Sequence, residues 1–223
     1  MASPFDRVNV RTFVNERLRA RPGAFKIPAP HVDMFTLRDF LSGEECKRLI
    51  KMIDRKRQPS TVLGGHPDMD FRTSETCNLD PYDPFVQTIE DKMTDLMGIP
   101  PEQGETIQGQ RYAIGQQFKQ HHDFFFTDQP YWEEQKDAGG QRTWTAMVFL
   151  NQPEAGGETF FAHAAVKIAP RAGNLLAWYN LDAAGKPNLF SLHEGRPVEA
   201  GVKYIITKWY RERRWGPEAP AID

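Results

Sequence analysis

The chain has 223 residues, a length that suits one domain and a sizeable core without disulfide staples. Its 28 Lys and Arg against 30 Asp and Glu leave a formal charge of −2, so no basic excess points to nucleic acid or a membrane surface. Cys46 and Cys77 have no ligand spacing and read as two reduced thiols, and no apolar run approaches the ~20 residues of a membrane span.

The opening stretch MASPFDRVNVRTFVNERLRARPGAF is charged throughout and has no hydrophobic signal region, which makes a cytoplasmic protein the expectation. Residues 1–33 read as a helical or loose extension closed by Pro28 and Pro30. A single domain is expected over 34–223, with its β core from about residue 106. A short strand is predicted at about 32–37. Ser42 and Glu45 have capping-box spacing, and Leu49, Ile50 and Ile53 give the following segment, about 43–56, one apolar helical side. Residues 57–80, centred on GGHPDMD, are rich in turn formers and predict a loop with one or two short strands. In DPFVQTIEDKMTDLMGIP, Asp83 is the expected cap and Pro84 the first turn. Phe85, Ile89, Met93 and Leu96 share a helical face.

From Thr106 the pattern changes to short β segments, from TIQGQRYAIG and FKQHHDFFF to LFSLHEG and VKYIITKWYRER, separated by Gly, Pro, Asn and Asp. The succession predicts a mainly β fold with N-terminal helices (α+β), its core a jelly roll or related double-sheet barrel. The longest loop of this half, TDQPYWEEQKDAGGQ, carries Pro130, Tyr131 and Trp132. It reads equally as an aromatic lid or as a loop packed on the barrel.

The chain has six histidines, and His-x-Asp occurs three times, at His31, His66 and His121. The pattern therefore needs context. On a strand, residues i and i+2 project to one face, so His121 and Asp123 would point together and His122 away. A third donor from another strand, for which His193 is suitable, would complete a 2-His-1-carboxylate triad with open positions. His66 reads as a solvated loop residue, His31 as structural between prolines, and His122 as packed on the opposite face. His163 has no carboxylate at strand spacing. Spacing alone leaves open whether a metal sits at His121, Asp123 and His193.

Several motifs occur together and in order. YAIGQQFKQHHDFF resembles the Tyr-x-x-Gly-Gln-x-Tyr-x-x-His-x-Asp pattern of the prolyl 4-hydroxylase-like iron(II)/2-oxoglutarate-dependent dioxygenases. GGQRTWTAMVFLN, GGETFF, IAPRAGNLLAW and SLHEGRPVEAGVKYIITKW look like the segments that follow in that family, and LSGEECKRLI and RTSETC like its N-terminal part. The resemblance spans roughly Met34 to Trp215 and implies a double-stranded β-helix (jelly roll, cupin-like) core flanked by helices. It implies His121, Asp123 and His193 as Fe(II) ligands and Lys203 as anchor for the distal carboxylate of 2-oxoglutarate, with Tyr112 as a hydrogen-bond partner. It places Arg142 and Trp209 in the substrate pocket. It further implies dioxygen as co-reactant, ascorbate as reductant, and a peptide or protein substrate, proline-containing by family default. Free amino acids and other side chains stay open as substrates.

The expected reaction hydroxylates an unactivated C–H with release of succinate and carbon dioxide. Asp123 argues against the halogenating relatives, in which a small residue vacates that position for chloride. A buried distal carboxylate must be paired. One lysine charge at ~4 Å offers ~4 kcal/mol of attraction at an intermediate dielectric, before desolvation is subtracted. Phe118 departs from the family pattern, which usually has tyrosine there; the missing phenol bears on the substrate rather than on iron. A 2-oxoglutarate-binding sensor module without turnover and a non-oxygenase cupin-like metalloenzyme are the alternative readings.

Overall fold

The computed structural model describes residues 7–216. The first six residues of the expected extension and the last seven of the expected domain lie outside the described residues. Helix α1 (Arg7–Ala20) lays Val10, Val14 and Leu18 into the core, one side of the helix at a four-residue spacing. Strands β1 (Ala24–Lys26) and β2 (Met34–Leu37) pair antiparallel.

Helix α2 (Gly43–Lys56) starts at the expected capping box. The Ser42 hydroxyl accepts from the Glu45 N–H, and the Glu45 carboxylate accepts from the Ser42 N–H. Strands β3 (Gln58–Pro59) and β4 (Glu75–Asn78) bracket the turn-rich loop. Helix α3 (Pro84–Met97) begins where Asp83 accepts from the Phe85 and Val86 N–H groups, and ends at Gly98, whose φ of 69° suits glycine. Its buried side is Val86, Ile89, Met93, Leu96 and Met97. Phe85, expected there, is half-buried with the Arg48 guanidinium 4.1 Å from its ring centre.

The remaining elements are β5 (Gln108–Tyr112), β6 (Phe118–His121), α4 (Trp132–Asp137), β7 (Arg142–Phe149), β8 (Ala155–Gly156), β9 (Thr159–Phe161), β10 (Val166–Ile168), β11 (Leu175–Tyr179), β12 (His193–Gly195), β13 (Val198–Ala200) and β14 (Lys203–Arg211). The run LFSLHEG, read as one strand, divides into a 3₁₀ turn at Leu189–Ser191 and β12.

The expected closed jelly-roll barrel does not form. The strands make an eight-stranded sheet, β1-β2-β11-β7-β14-β5-β4-β3, a four-stranded sheet, β10-β9-β12-β6, and a separate β8-β13 pair. Among the described residues the outer edge of β6 is met only by an isolated antiparallel bridge from Arg72 to Phe118, and no strand pairing joins the two larger sheets, so the fold is mixed α/β with several open sheets rather than a double-stranded β-helix closed on itself. The physical reason lies in the second sheet. Its strands are three or four residues long, and β12 shifts register against β6 between His193 and Gly195. Strands this short do not reach round to hydrogen-bond the large sheet at both rims. The two sheets meet instead through side chains.

Alternation along the long strands divides the core in two. Trp144, Ala146 and Val148 of β7 face the helices, while Met147 and Phe149 face the small sheet. Tyr204, Ile206 and Tyr210 of β14 likewise face the helices, opposite Ile205. Both faces of the large sheet are therefore covered, which explains why β7, β11 and β14 are buried along nearly their whole length, polar residues included. Replacing Asp83 with alanine removes two hydrogen bonds from the start of α3. It should cost about 1 kcal/mol in denaturant unfolding while leaving metal binding intact.

Candidate metal centre

His121 ends β6 and His193 opens β12, and the two are direct partners across the antiparallel pair. Their ring centres are 4.3 Å apart. Asp123 does not share the strand, which stops at His121. It reaches the same point from the turn that follows. That turn is pinned by Gln141, whose fully buried amide accepts from the Phe125 N–H at 2.6 Å and donates to the Phe125 carbonyl at 2.8 Å. The nearest carboxylate oxygens lie 3.8 Å from His121 Nε2 and 3.9 Å from His193 Nε2. Ligand atoms of His121, Asp123 and His193 all fall within 4.8 Å of one another, the spread expected of donors that share one ion.

The donor chemistry fits a ferrous ion. Nδ1 of His121 stands 2.7 Å from the Lys119 carbonyl, and Nδ1 of His193 stands 2.9 Å from the Ser191 carbonyl. A carbonyl only accepts, so each Nδ1 carries the hydrogen and each Nε2 offers a lone pair to the centre. Burial, with the neighbouring His193, pushes the His121 pKa well below the usual imidazole range, which keeps it a neutral ligand. Burial opposes the Asp123 carboxylate. His193, His121 and Arg142 and the Thr145 hydrogen bond outweigh it and hold the carboxyl below its ordinary pKa. The Phe118 ring stacks on His121 at 3.5 Å, and Trp178 meets His193 edge-on at 4.9 Å. Two imidazoles, each presenting Nε2, and one carboxylate in an aromatic shell make a nitrogen/oxygen site of the facial-triad type.

The cavity lined by this trio lies between the two sheets and also takes in Lys203, Tyr112 and Trp209. Lys203 is 1% exposed. Burial lowers its pKa to about 8, against a weaker opposing pull from Glu158. Among the described residues no carboxylate pairs with it; its Nζ rests 5.1 Å from the Tyr112 ring centre. Tyr112 is its direct partner in the β5–β14 pairing, and the Tyr112 hydroxyl donates to Gln110 Oε1 at 2.6 Å. The indole N–H groups of Trp178 and Trp209, both in the cavity wall, find no partner within the protein.

Residues 107–211 match the family model of the 2OG-Fe(II) oxygenase superfamily. A putative prolyl 4-hydroxylase of Acanthamoeba polyphaga mimivirus is 30% identical over 190 residues, covering 85% of this chain and 78% of the relative. The chain belongs to the prolyl 4-hydroxylase-like 2OG-Fe(II) oxygenases. A probable prolyl 4-hydroxylase of Arabidopsis thaliana is 31% identical, over 79% of this chain and 67% of that one. Among solved structures, the viral collagen prolyl hydroxylase of Paramecium bursaria Chlorella virus-1, in its 2-oxoglutarate complex, superposes with a TM-score of 0.64. It is 28% identical and covers 81% of this chain and 96% of that one. This chain is accordingly an enzyme, a 2-oxoglutarate-dependent dioxygenase.

Within this oxygenase the other expected pocket residues divide. Trp209 lines the metal cavity. Arg142 is already engaged. Its guanidinium bonds both oxygens of Glu105, at 2.6 and 2.7 Å, lies 4.1 Å from the Trp209 ring centre, and donates to the Asp123 carbonyl at 3.4 Å. Arg211 adds a second cation to Glu105 at 2.6 Å. The remaining histidines stand outside the trio: His122 contacts the Leu189 carbonyl at 3.2 Å, exposed His66 stacks on Phe71, and His31 and His163 flank Phe190. Tyr131 and Trp132 are half-buried around the short helix α4 and are not part of the cavity wall.

Sequence reading missed Gln141, Glu105 and Thr145. The one visible signal was a pair of threonines, Thr143 and Thr145, on opposite sides of an aromatic in an otherwise apolar strand. Calorimetric titration with Fe(II) under anaerobic conditions should show binding abolished in His121→Ala and Asp123→Ala and retained in His122→Ala and His66→Ala. Equal loss in all four would contradict the assignment.

Proposed function

We propose that the oxygenase hydroxylates a prolyl residue in a peptide or protein, with His121, Asp123 and His193 holding iron and Lys203 holding 2-oxoglutarate. The observation that carries the cosubstrate's placement is the unpaired ammonium of Lys203 in the same cavity as the trio. A buried cation without a carboxylate lowers stability, and a dianionic ligand supplies the missing charge. Bound iron, with 2-oxoglutarate and dioxygen, supplies oxidative decarboxylation coupled to C–H hydroxylation, with succinate and carbon dioxide as co-products.

The protein's own residues bind, orient and keep the site dry. Backbone carbonyls hold Nδ1 of each imidazole, so Nε2 is the nitrogen turned to the metal. Lys203 anchors the distal carboxylate. Tyr112 assists by turning its hydroxyl from Gln110 to that carboxylate. Phe118, Trp178 and Trp209 form apolar walls that exclude water around the reacting carbon. Arg142, fixed by Glu105, supports the Trp209 face and the Asp123 turn and so shapes the substrate side of the pocket.

Proline as the target rests on the relatives, which are prolyl 4-hydroxylases by name. Ascorbate as reductant follows the same family reading. Cys46 and Cys77 are buried free thiols, and no helix among the described residues is long and apolar enough to cross a membrane; a reducing compartment such as the cytoplasm suits both facts.

The deciding assay is succinate release with iron and ascorbate against proline-containing peptides and their Pro→Ala controls. Turnover confined to the proline peptides supports the proposal. Binding of 2-oxoglutarate without succinate from any peptide would make the protein a sensor instead. Lys203→Ala should raise the 2-oxoglutarate KM at least about tenfold. The Lys203 ammonium is charged below pH about 8, so wild-type affinity for 2-oxoglutarate should fall as pH rises through that value. A KM flat from pH 7 to about 9.5 would remove Lys203 from the site.

A further inference from the structure

Behind the metal centre lies a chain of polar groups that none of the family motifs contains as a unit. Thr145 Oγ1 donates to Asp123 Oδ2 at 2.7 Å, and Asn180 Nδ2 donates to Thr145 Oγ1 at 2.9 Å. Thr145 and Asn180 are both 0% exposed. They come from adjacent strands of the large sheet: Thr145 lies within β7, and Asn180 directly follows β11.

The direction of the chain is forced. The Asp123 carboxylate can only accept, so Thr145 must give it its single hydroxyl hydrogen. The Thr145 oxygen can then accept, and the Asn180 amide N–H fills that place. A flipped Asn180 would present its carbonyl to a hydroxyl whose only hydrogen is already committed. In the observed orientation the Asn180 side-chain carbonyl is left buried without a partner. Such an orphan acceptor lowers stability. An apolar residue of similar shape would remove that penalty, so the amide is retained for what its N–H does.

Resting on the iron-centre reading above, we propose that Thr145, steered by Asn180, is a positioning residue for the metal-binding carboxylate. Its hydroxyl holds Asp123 Oδ2 and fixes the rotation of the carboxylate, with Oδ1 3.8 Å from His121 Nε2 and Oδ2 3.9 Å from His193 Nε2. A carboxylate free to turn would lose the orientation in which it meets both imidazole nitrogens, and the metal would be held less well. The inference concerns the geometry of a ligand rather than its identity. A merely structural role for Thr145 would change stability and leave metal binding alone.

The test uses the full chain and has a readout independent of turnover. Co(II) is titrated into the wild type, Thr145→Val, Thr145→Ser and Asn180→Leu, with visible absorption recording affinity and coordination. Melting temperatures of the apo proteins are measured alongside. Thr145→Val should bind Co(II) about 10–100-fold more weakly, with an altered visible spectrum. Thr145→Ser should restore both to within about threefold of wild type, because the hydroxyl returns without the methyl. Asn180→Leu, which leaves the hydroxyl in place but unsteered, should lose less than Thr145→Val. Wild-type affinity and spectrum in a folded Thr145→Val would overturn the proposal, as would a serine variant as impaired as the valine, or a larger loss in Asn180→Leu. Failure of the wild type itself to bind Co(II) would instead overturn the metal-centre reading on which the proposal rests.

Discussion

His121 and His193 are far apart in the chain and directly opposite in the small sheet. Cross-strand partners have their Cβ atoms roughly 5 Å apart, close enough for two imidazoles to reach one ion. The small sheet's register therefore makes the centre, and much of the surrounding structure holds that register in place. Phe118 lies flat on one imidazole, while Phe161 and Trp178 pack around the other. Two backbone carbonyls hold the tautomers. A one-residue slip of β12 against β6 would turn one histidine to the opposite face and leave Asp123 with a single nitrogen partner.

Charge is handled in two ways around this centre. Glu105 gathers Arg142 and Arg211, and each guanidinium finds its carboxylate within the protein. That cluster is closed and supports the wall through stacking on Trp209 and Phe125. Lys203 is left open: it is as deeply buried as any charged group among the described residues and faces aromatic rings instead of a carboxylate. The contrast separates charges neutralised within the protein from one that is not. It also explains why Arg142, a cation in the right neighbourhood, is the poorer candidate for holding an anion.

The helices read easily because their signals are local. Ser42 with Glu45, and Asp83 with Pro84, mark two helix starts within a few residues. The strands read as strands because β-rich segments alternate with turn formers. Their closure did not follow. A list of short apolar runs says nothing of how far each strand extends or where a bulge shifts its pairing, and the small sheet is both short and bulged. Asp123 was placed in the trio for an incomplete reason. Same-face alternation requires a strand that continues through it, whereas the strand stops at His121 and the Gln141 clamp on Phe125 sets the turn.

The identity and order of His121, Asp123 and His193 were in the sequence, as was Lys203, which the fold places in the wall of the same cavity. Those are properties of residue type and of motifs that follow one another along the chain. Only the folded chain decided which charges are neutralised, which hydroxyl holds the carboxylate, and that the sheets remain open. These depend on contacts between segments 22 or more residues apart in the chain. Such contacts arise from register, burial and side-chain direction acting together, and no local stretch of sequence encodes them alone.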